Sequence, residues 1–320
     1  MTASHGHHGA ETRRRGAGRL AARLGVSLGL LAWLVSRVEP GELAASFGAV
    51  PAGAAAAALA LYLGSQLASS LRWFLLAGAL GFGGAWRRYL GAYFAGMFFN
   101  LFLPTSIGGD VWKVFWLAGG EPRRLRAAAT VLADRALGFA AMFLLGALAV
   151  TAADPGAAAR FRWPLVGAAA AAAGLAVLAA AAPGLLRRLF PASAGRLQAL
   201  EELARHPARV GAAFGLSLLL QGLCMGAVAV LGRGMGLAPP VAFYYAVFPL
   251  IALASLLPVS FNGIGVREGG FVFFLGIEGV PAGQALTLGL TFFGVQVAAS
   301  LLGGLAYGVG LHGGRAGGAA

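Results

Sequence analysis

Seven ionisable side chains stand in or beside long apolar runs of this sequence: Arg72, Asp110, Lys113, Asp134, Arg135, Arg267 and Glu268. A charge at the centre of a bilayer costs at least about 2.5–3.5 kcal/mol, so each is a candidate for contact with a ligand or with another of the set. Four are cations and three are anions, which favours mutual pairing with one cation in surplus. Asn100 and Asn262 add neutral hydrogen-bonding groups nearby. The chemistry available to such a set is recognition of a zwitterionic or anionic headgroup.

Two interrupted apolar regions must position these residues. Region 89–118 breaks at "NLFLPTSIGGD", which holds Pro104, Gly108 and Gly109. Region 241–276 breaks at "LLPVSFNGIGVRE", which holds Pro258, Gly263 and Gly265. Proline frees a helix, and glycine permits a tight turn. An arm of 15 residues reaches only about 22 Å at 1.5 Å per residue. Two re-entrant helical hairpins therefore fit better than four full spans. Non-helical backbone at membrane depth survives only inside protein or beside a wet cavity. Paired, oppositely entering, Gly/Pro-broken segments are the signature of an inverted-repeat transporter with its site near the midplane.

Within that frame Asp110 and Lys113 share a helix face, as an internal pair or as ligand contacts. Asp110 also suits the cap of the returning helix, whose exposed N–H groups equally suit a bound anion. Asp134 and Arg135 are adjacent and face different ways. In one scheme Asp134 pairs with a hairpin cation while Arg135 faces a cavity. In another both reach water at the cytoplasmic end. Arg72, beside Ser69, Ser70 and Trp73, is open to the same alternative.

The chain has 320 residues, of which 59% are hydrophobic and 11% charged, and a mean hydropathy of +0.78. A soluble domain carries about a quarter charged residues. The fold class is all-α, a polytopic membrane protein of about six full spans plus the two hairpins. The spans are expected at 20–38, 52–80, 127–153, 164–182, 210–231 and 284–311. Residues 1–18 and 313–320 read as disordered tails around a membrane domain, 19–312. The net charge of +13 follows from topology rather than from nucleic-acid binding. With both termini cytoplasmic, sixteen arginines fall inside and only Arg37, Arg160, Arg162 and Arg233 outside. Segment 187–209 reads as an amphipathic helix on the membrane surface.

No Walker A, GxSxG or HExxH motif occurs, and His206 and His312 are isolated. The lone Cys224 forms no internal disulfide. His5, His7 and His8 lack a rigid scaffold. No catalytic residue, metal or cofactor is expected, and no nucleic-acid partner.

The stretches "SLRWFLLAGALG", "FFNLFLPTSIGGDVWKVFWL", "TVLADRALGF" and "LLPVSFNGIGVREGGFVFFL" occur in the order and spacing of the lysylphosphatidylglycerol synthase transmembrane-region family. The sequence resembles these flippase-like integral membrane proteins over about residues 20–312. The resemblance implies a protein that binds and translocates a phospholipid or lipid-linked headgroup between leaflets of the inner (plasma) membrane. In the best-known members this region precedes an aminoacyl-transferase domain that attaches lysine to phosphatidylglycerol. This chain ends at Ala320, shortly after its last expected span, so lysyl transfer is not expected.

The resemblance implies a partnership with a lipid or glycan biosynthesis enzyme. Its alternatives are a lipid-modifying enzyme and a non-catalytic membrane partner. Carried over by motif, the site residues are Arg72, Asn100, Pro104, Gly108, Gly109, Asp110, Asp134, Arg135, Pro258, Gly263, Gly265, Arg267 and Glu268. Lys113 stands where the family often has Arg, which loses bidentate phosphate binding. Asp134 stands where Glu is common.

Overall fold

A computed structural model describes residues 5–102, 108–120, 123–152, 160–181 and 201–308, and among them every regular element is a helix. Helix α1 (His5–Ser36) turns by 94° between its apolar part and α2 (Pro40–Gly48). There follow α3 (Ala52–Ala79), α4 (Trp86–Phe102), α5 (Gly108–Ala118), α6 (Arg124–Ala152) and α7 (Arg162–Ala181). Beyond residue 200 come α8 (Pro207–Gly234), α9 (Val241–Ser255), α10 (Val266–Ile277) and α11 (Ala282–Gly308). Prolines set several starts. Pro40 and Pro207 occupy the first helical turns of α2 and α8, where the missing N–H is no loss.

Helices α3, α6, α8 and most of α11 are long and apolar enough to cross a membrane. The bent α1–α2 pair makes a fifth span if its halves are counted together. The chain is an integral membrane protein. The first expected span is thus the straight limb of a bent pair, and α7, a helix of 20 residues, covers the fourth expected stretch without being one of those four helices. Helix α1 begins at His5, within the tail expected to be disordered. That tail lacks proline and leads without a break into the apolar part of α1. The terminal segments 1–4 and 309–320, and most of the proposed surface helix 187–209, lie outside the described residues.

Both interrupted regions fold as packed helix pairs, α4 with α5 and α9 with α10. Helix α4 has 17 residues and α9 has 15, about 26 Å and 22 Å of helix. Neither reaches across a hydrocarbon core of about 30 Å.

Two large core clusters form toward opposite ends of the α3–α8 pair, with a small third around Leu34, Val38 and Leu286. One, under the first helix pair, stacks Trp73 edge-to-face on Tyr89 at 5.1 Å, with Trp116 5.3 Å from Tyr89. Trp73 also donates its indole N–H to Thr130 at 3.1 Å, satisfying a buried polar group. The other cluster packs α6, α8, α9, α10 and α11 around Met225, Phe243, Tyr244, Phe271 and Phe292. A polar cavity lies between these two apolar masses.

Candidate functional site

The floor of the site is one face of α3. Tyr62, Ser65, Gln66, Ser69 and Arg72 recur at helical spacing and all line a cavity of about 280 Å³. Arg72 is buried and held from three sides. Its Nε donates to Asp134 Oδ1 at 2.6 Å, Nη1 to Ser217 Oγ at 3.0 Å and Nη2 to Ser69 Oγ at 3.4 Å. Gly138 opens the space beside it: a Cβ there would meet Nη1 at 3.1 Å. Snorkelling to water is excluded for Arg72 and Asp134, each no more than 4% exposed.

The wall comes from the first helix pair. Gly109 packs so closely on α4 that a Cβ would run into the Gly96 carbonyl and the Asn100 amide. The closeness lets Asn100 Oδ1 accept the Gly109 N–H at 2.6 Å. Asn100 therefore fills the capping role, for which the sequence had offered Asp110 or a bound anion. Asp110 instead turns to cations: its Oδ2 accepts Arg135 Nη2 at 2.8 Å and Nε at 2.9 Å, and Oδ1 lies 3.7 Å from Lys113 Nζ. Lys113 also sits 4.1 Å above the Tyr93 ring, a cation–π contact that strengthens on burial.

Of the two schemes open from the sequence, the first holds in one half: Arg135 lines the cavity, bound to hairpin Asp110, but Asp134 takes Arg72 from α3 and not a hairpin cation. Asn100, Asp110, Lys113, Asp134, Arg135 and Arg72 all line the cavity. Among its charged side chains Arg72, Lys113 and Arg135 face only Asp110 and Asp134, leaving one positive charge in surplus.

The second break makes a separate cluster. Gly265 has φ +86°, and a Cβ there would lie 2.7 Å from Leu30 Cβ on α1, so no other residue fits. The Gly265 N–H donates to Glu268 Oε2 at 2.6 Å, a carboxylate cap on the start of α10. Glu268 is fully buried, and its Oε1 takes Arg267 Nη2 at 2.6 Å and Nε at 2.9 Å. Arg267 Nη1 donates to Gln296 Oε1 at 2.7 Å. Gln296 lines the cavity, whereas Arg267, Glu268 and Asn262 do not.

Asn262, at φ +51°, touches the first helix pair directly, donating to the Asn100 carbonyl at 3.4 Å. Gly263 (φ +76°) packs on Ser255, Pro258 is exposed in the break and Gly108 opens α5. Pro104 lies outside the described residues.

Tyr62, Ser65, Gln66, Tyr93, Gln221, Cys224 and Gln296 also line the cavity without having been picked out in the sequence. The α3 residues carry a readable signal, polar groups every three or four positions within an apolar run. The others, Tyr93 on α4, Gln221 and Cys224 on α8 and Gln296 on α11, are isolated residues in apolar surroundings and carry none. No group of three metal-ligating side chains occurs among the described residues.

Neither a curated protein nor a solved structure matches this chain. The model of a protein family, described as the lysylphosphatidylglycerol synthase TM region, matches residues 20–304. With its broken helix pairs, its intramembrane ion pairs and that match over most of its length, the chain belongs to the lysylphosphatidylglycerol synthase TM-region family.

Proposed function

We propose that this membrane protein, a member of a family linked to lipid handling, binds the phosphate-bearing headgroup of a phospholipid or lipid-linked substrate and translocates it between leaflets. One observation carries the reading: two cations from different elements, Lys113 and Arg135, share the single carboxylate of Asp110 at the edge of a headgroup-sized cavity. A phosphodiester entering there neutralises the surplus charge, and acyl chains remain in lipid. In this reading the two helix pairs are re-entrant hairpins that enter from opposite sides among six spans. The charge-bearing residues of both breaks serve the substrate, those of the first directly and Arg267 and Glu268 through Gln296. Arginine placement supports an inner (plasma) membrane protein with cytoplasmic termini.

The test uses proteoliposomes carrying a fluorescent anionic phospholipid whose outer-leaflet copies are bleached by an impermeant reductant. The wild-type chain should expose inner-leaflet lipid to bleaching without any nucleotide or donor. Lys113→Gln and Arg135→Gln should return bleaching to the protein-free level. Wild-type protein that gives only protein-free bleaching sinks translocation. Product that forms only with a soluble group donor would make the chain a lipid-modifying enzyme instead.

A further inference from the structure

The neutral residues of the cavity place their own requirement on its ligand. Gln296 gives its carbonyl oxygen to Arg267, so it brings amide donors to the cavity. Gln221 gives its amide nitrogen to the Gly138 carbonyl at 3.1 Å, so it brings an acceptor. Ser65 gives its proton to the Tyr62 carbonyl at 2.7 Å and accepts Gln66 Nε2 at 3.0 Å. Tyr93 gives its proton to Ser69 Oγ at 2.7 Å and Gln66 Oε1 at 3.2 Å, so both Ser65 and Tyr93 bring spare acceptor capacity. Ser69, which accepts from Tyr93 and Arg72, brings a donor. A bare phosphate accepts only and an ammonium donates only, whereas a hydroxyl does both. The mixed lining matches hydroxyls.

An amine-bearing headgroup meets two obstacles. The cavity already holds a positive surplus, and the Tyr93 ring face that could cage an ammonium is covered by Lys113. The volume of about 280 Å³ lies just below the usual range for ligand pockets, about 300–1,000 Å³. That is room for a headgroup and not for acyl chains.

We propose that the cavity selects a phosphodiester lipid whose headgroup is a sugar or other polyol, over one with no hydroxyls or one bearing an amine. The selection rests on the anionic-headgroup reading above, with Lys113 and Arg135 on the phosphate and Gln66, Gln221 and Gln296 on the hydroxyls.

The experiment measures equilibrium binding of three short-chain lipids to the purified full chain by native mass spectrometry. Phosphatidylinositol and phosphatidylmethanol carry the same single phosphodiester charge, with and without ring hydroxyls; phosphatidylethanolamine carries an amine. Phosphatidylinositol should bind about tenfold tighter than phosphatidylmethanol, the effect of one or two well-placed hydrogen bonds. Gln66→Leu and Gln221→Leu should erase that preference while leaving phosphatidylmethanol binding unchanged, which also shows that the variants are folded. Lys113→Gln should weaken both anionic lipids alike.

Equal binding of the two anionic lipids, or tightest binding of phosphatidylethanolamine, overturns the polyol assignment and leaves translocation to be judged by the bleaching assay. Loss of both anionic lipids in the glutamine variants also overturns it. Failure of any lipid to bind removes the anionic-headgroup reading along with it.

Discussion

The two broken regions are built from similar sequence, an LP dipeptide, a serine, glycines and a charge pair, yet they hold their carboxylates very differently. Asp110 shares two cations, one at 3.7 Å and the other, Arg135, with a side chain 42% exposed. Glu268 is wholly enclosed, and its contacts to Arg267 and the Gly265 N–H all lie between 2.6 and 2.9 Å. The first arrangement can give up a partner to an incoming anion at small cost. The second cannot, because a buried cation left alone is expensive. The breaks between paired helices thus serve two ends in one molecule: the first presents charge to a cavity, and the second clamps the start of α10 with a buried carboxylate.

Four substitutions would break or sharpen that contrast. Glu268→Ala should have the largest effect, about 3–5 kcal/mol, since Arg267 loses its charge partner and α10 its cap. Thermal melting of detergent-solubilised protein reads it, and a wild-type melting curve would end the claim that this cluster is a clamp. Gly265→Ala comes next, at about 1–3 kcal/mol, from its left-handed backbone and the encounter with Leu30 on α1. Its partner test is Leu30→Ala, which should recover part of the loss by making room.

Asn100→Ala removes the acceptor for the Gly109 N–H and should cost about 1 kcal/mol, as helix caps do. Hydrogen exchange should quicken at the start of α5 and not at α10. Asp110→Asn should be the mildest in stability, about 1 kcal/mol or less, because the amide oxygen still accepts from Arg135, itself 42% exposed, and Lys113 keeps the Tyr93 ring face. It raises the cavity surplus by one charge, so anionic lipid should bind more tightly and more salt-dependently. A melting loss as large as that of Glu268→Ala would erase the difference between the two breaks.

Much of this was legible in the sequence, for reasons of period and cost. Apolar runs of bilayer length give the long helices, and the two interrupted regions fold as helix pairs close to the expected bounds. All seven charges were visible because apolar neighbours make them conspicuous, and five of them line one cavity. Their pairing was not visible. Arg72 and Asp134 are 62 residues apart, and only the packing of α3 on α6 brings them to 2.6 Å. The pairing expected for Asp134 failed because adjacent residues on a helix face different neighbours, and one sequence does not say which neighbour lies where. Gln296 and Tyr93 were missed for a plainer reason: a single uncharged polar residue in a membrane helix is cheap enough to be unremarkable until its neighbours are known.

Cys224 ends the matter on a practical note. It is the sole thiol in the sequence, and it opens onto the cavity. The molecule therefore carries a natural reporter at its own centre, with no background to remove by mutagenesis. A membrane-impermeant maleimide added to one side or the other of sealed vesicles would tell from which compartment the cavity is wetted. A bound lipid would announce itself as protection of that sulfur.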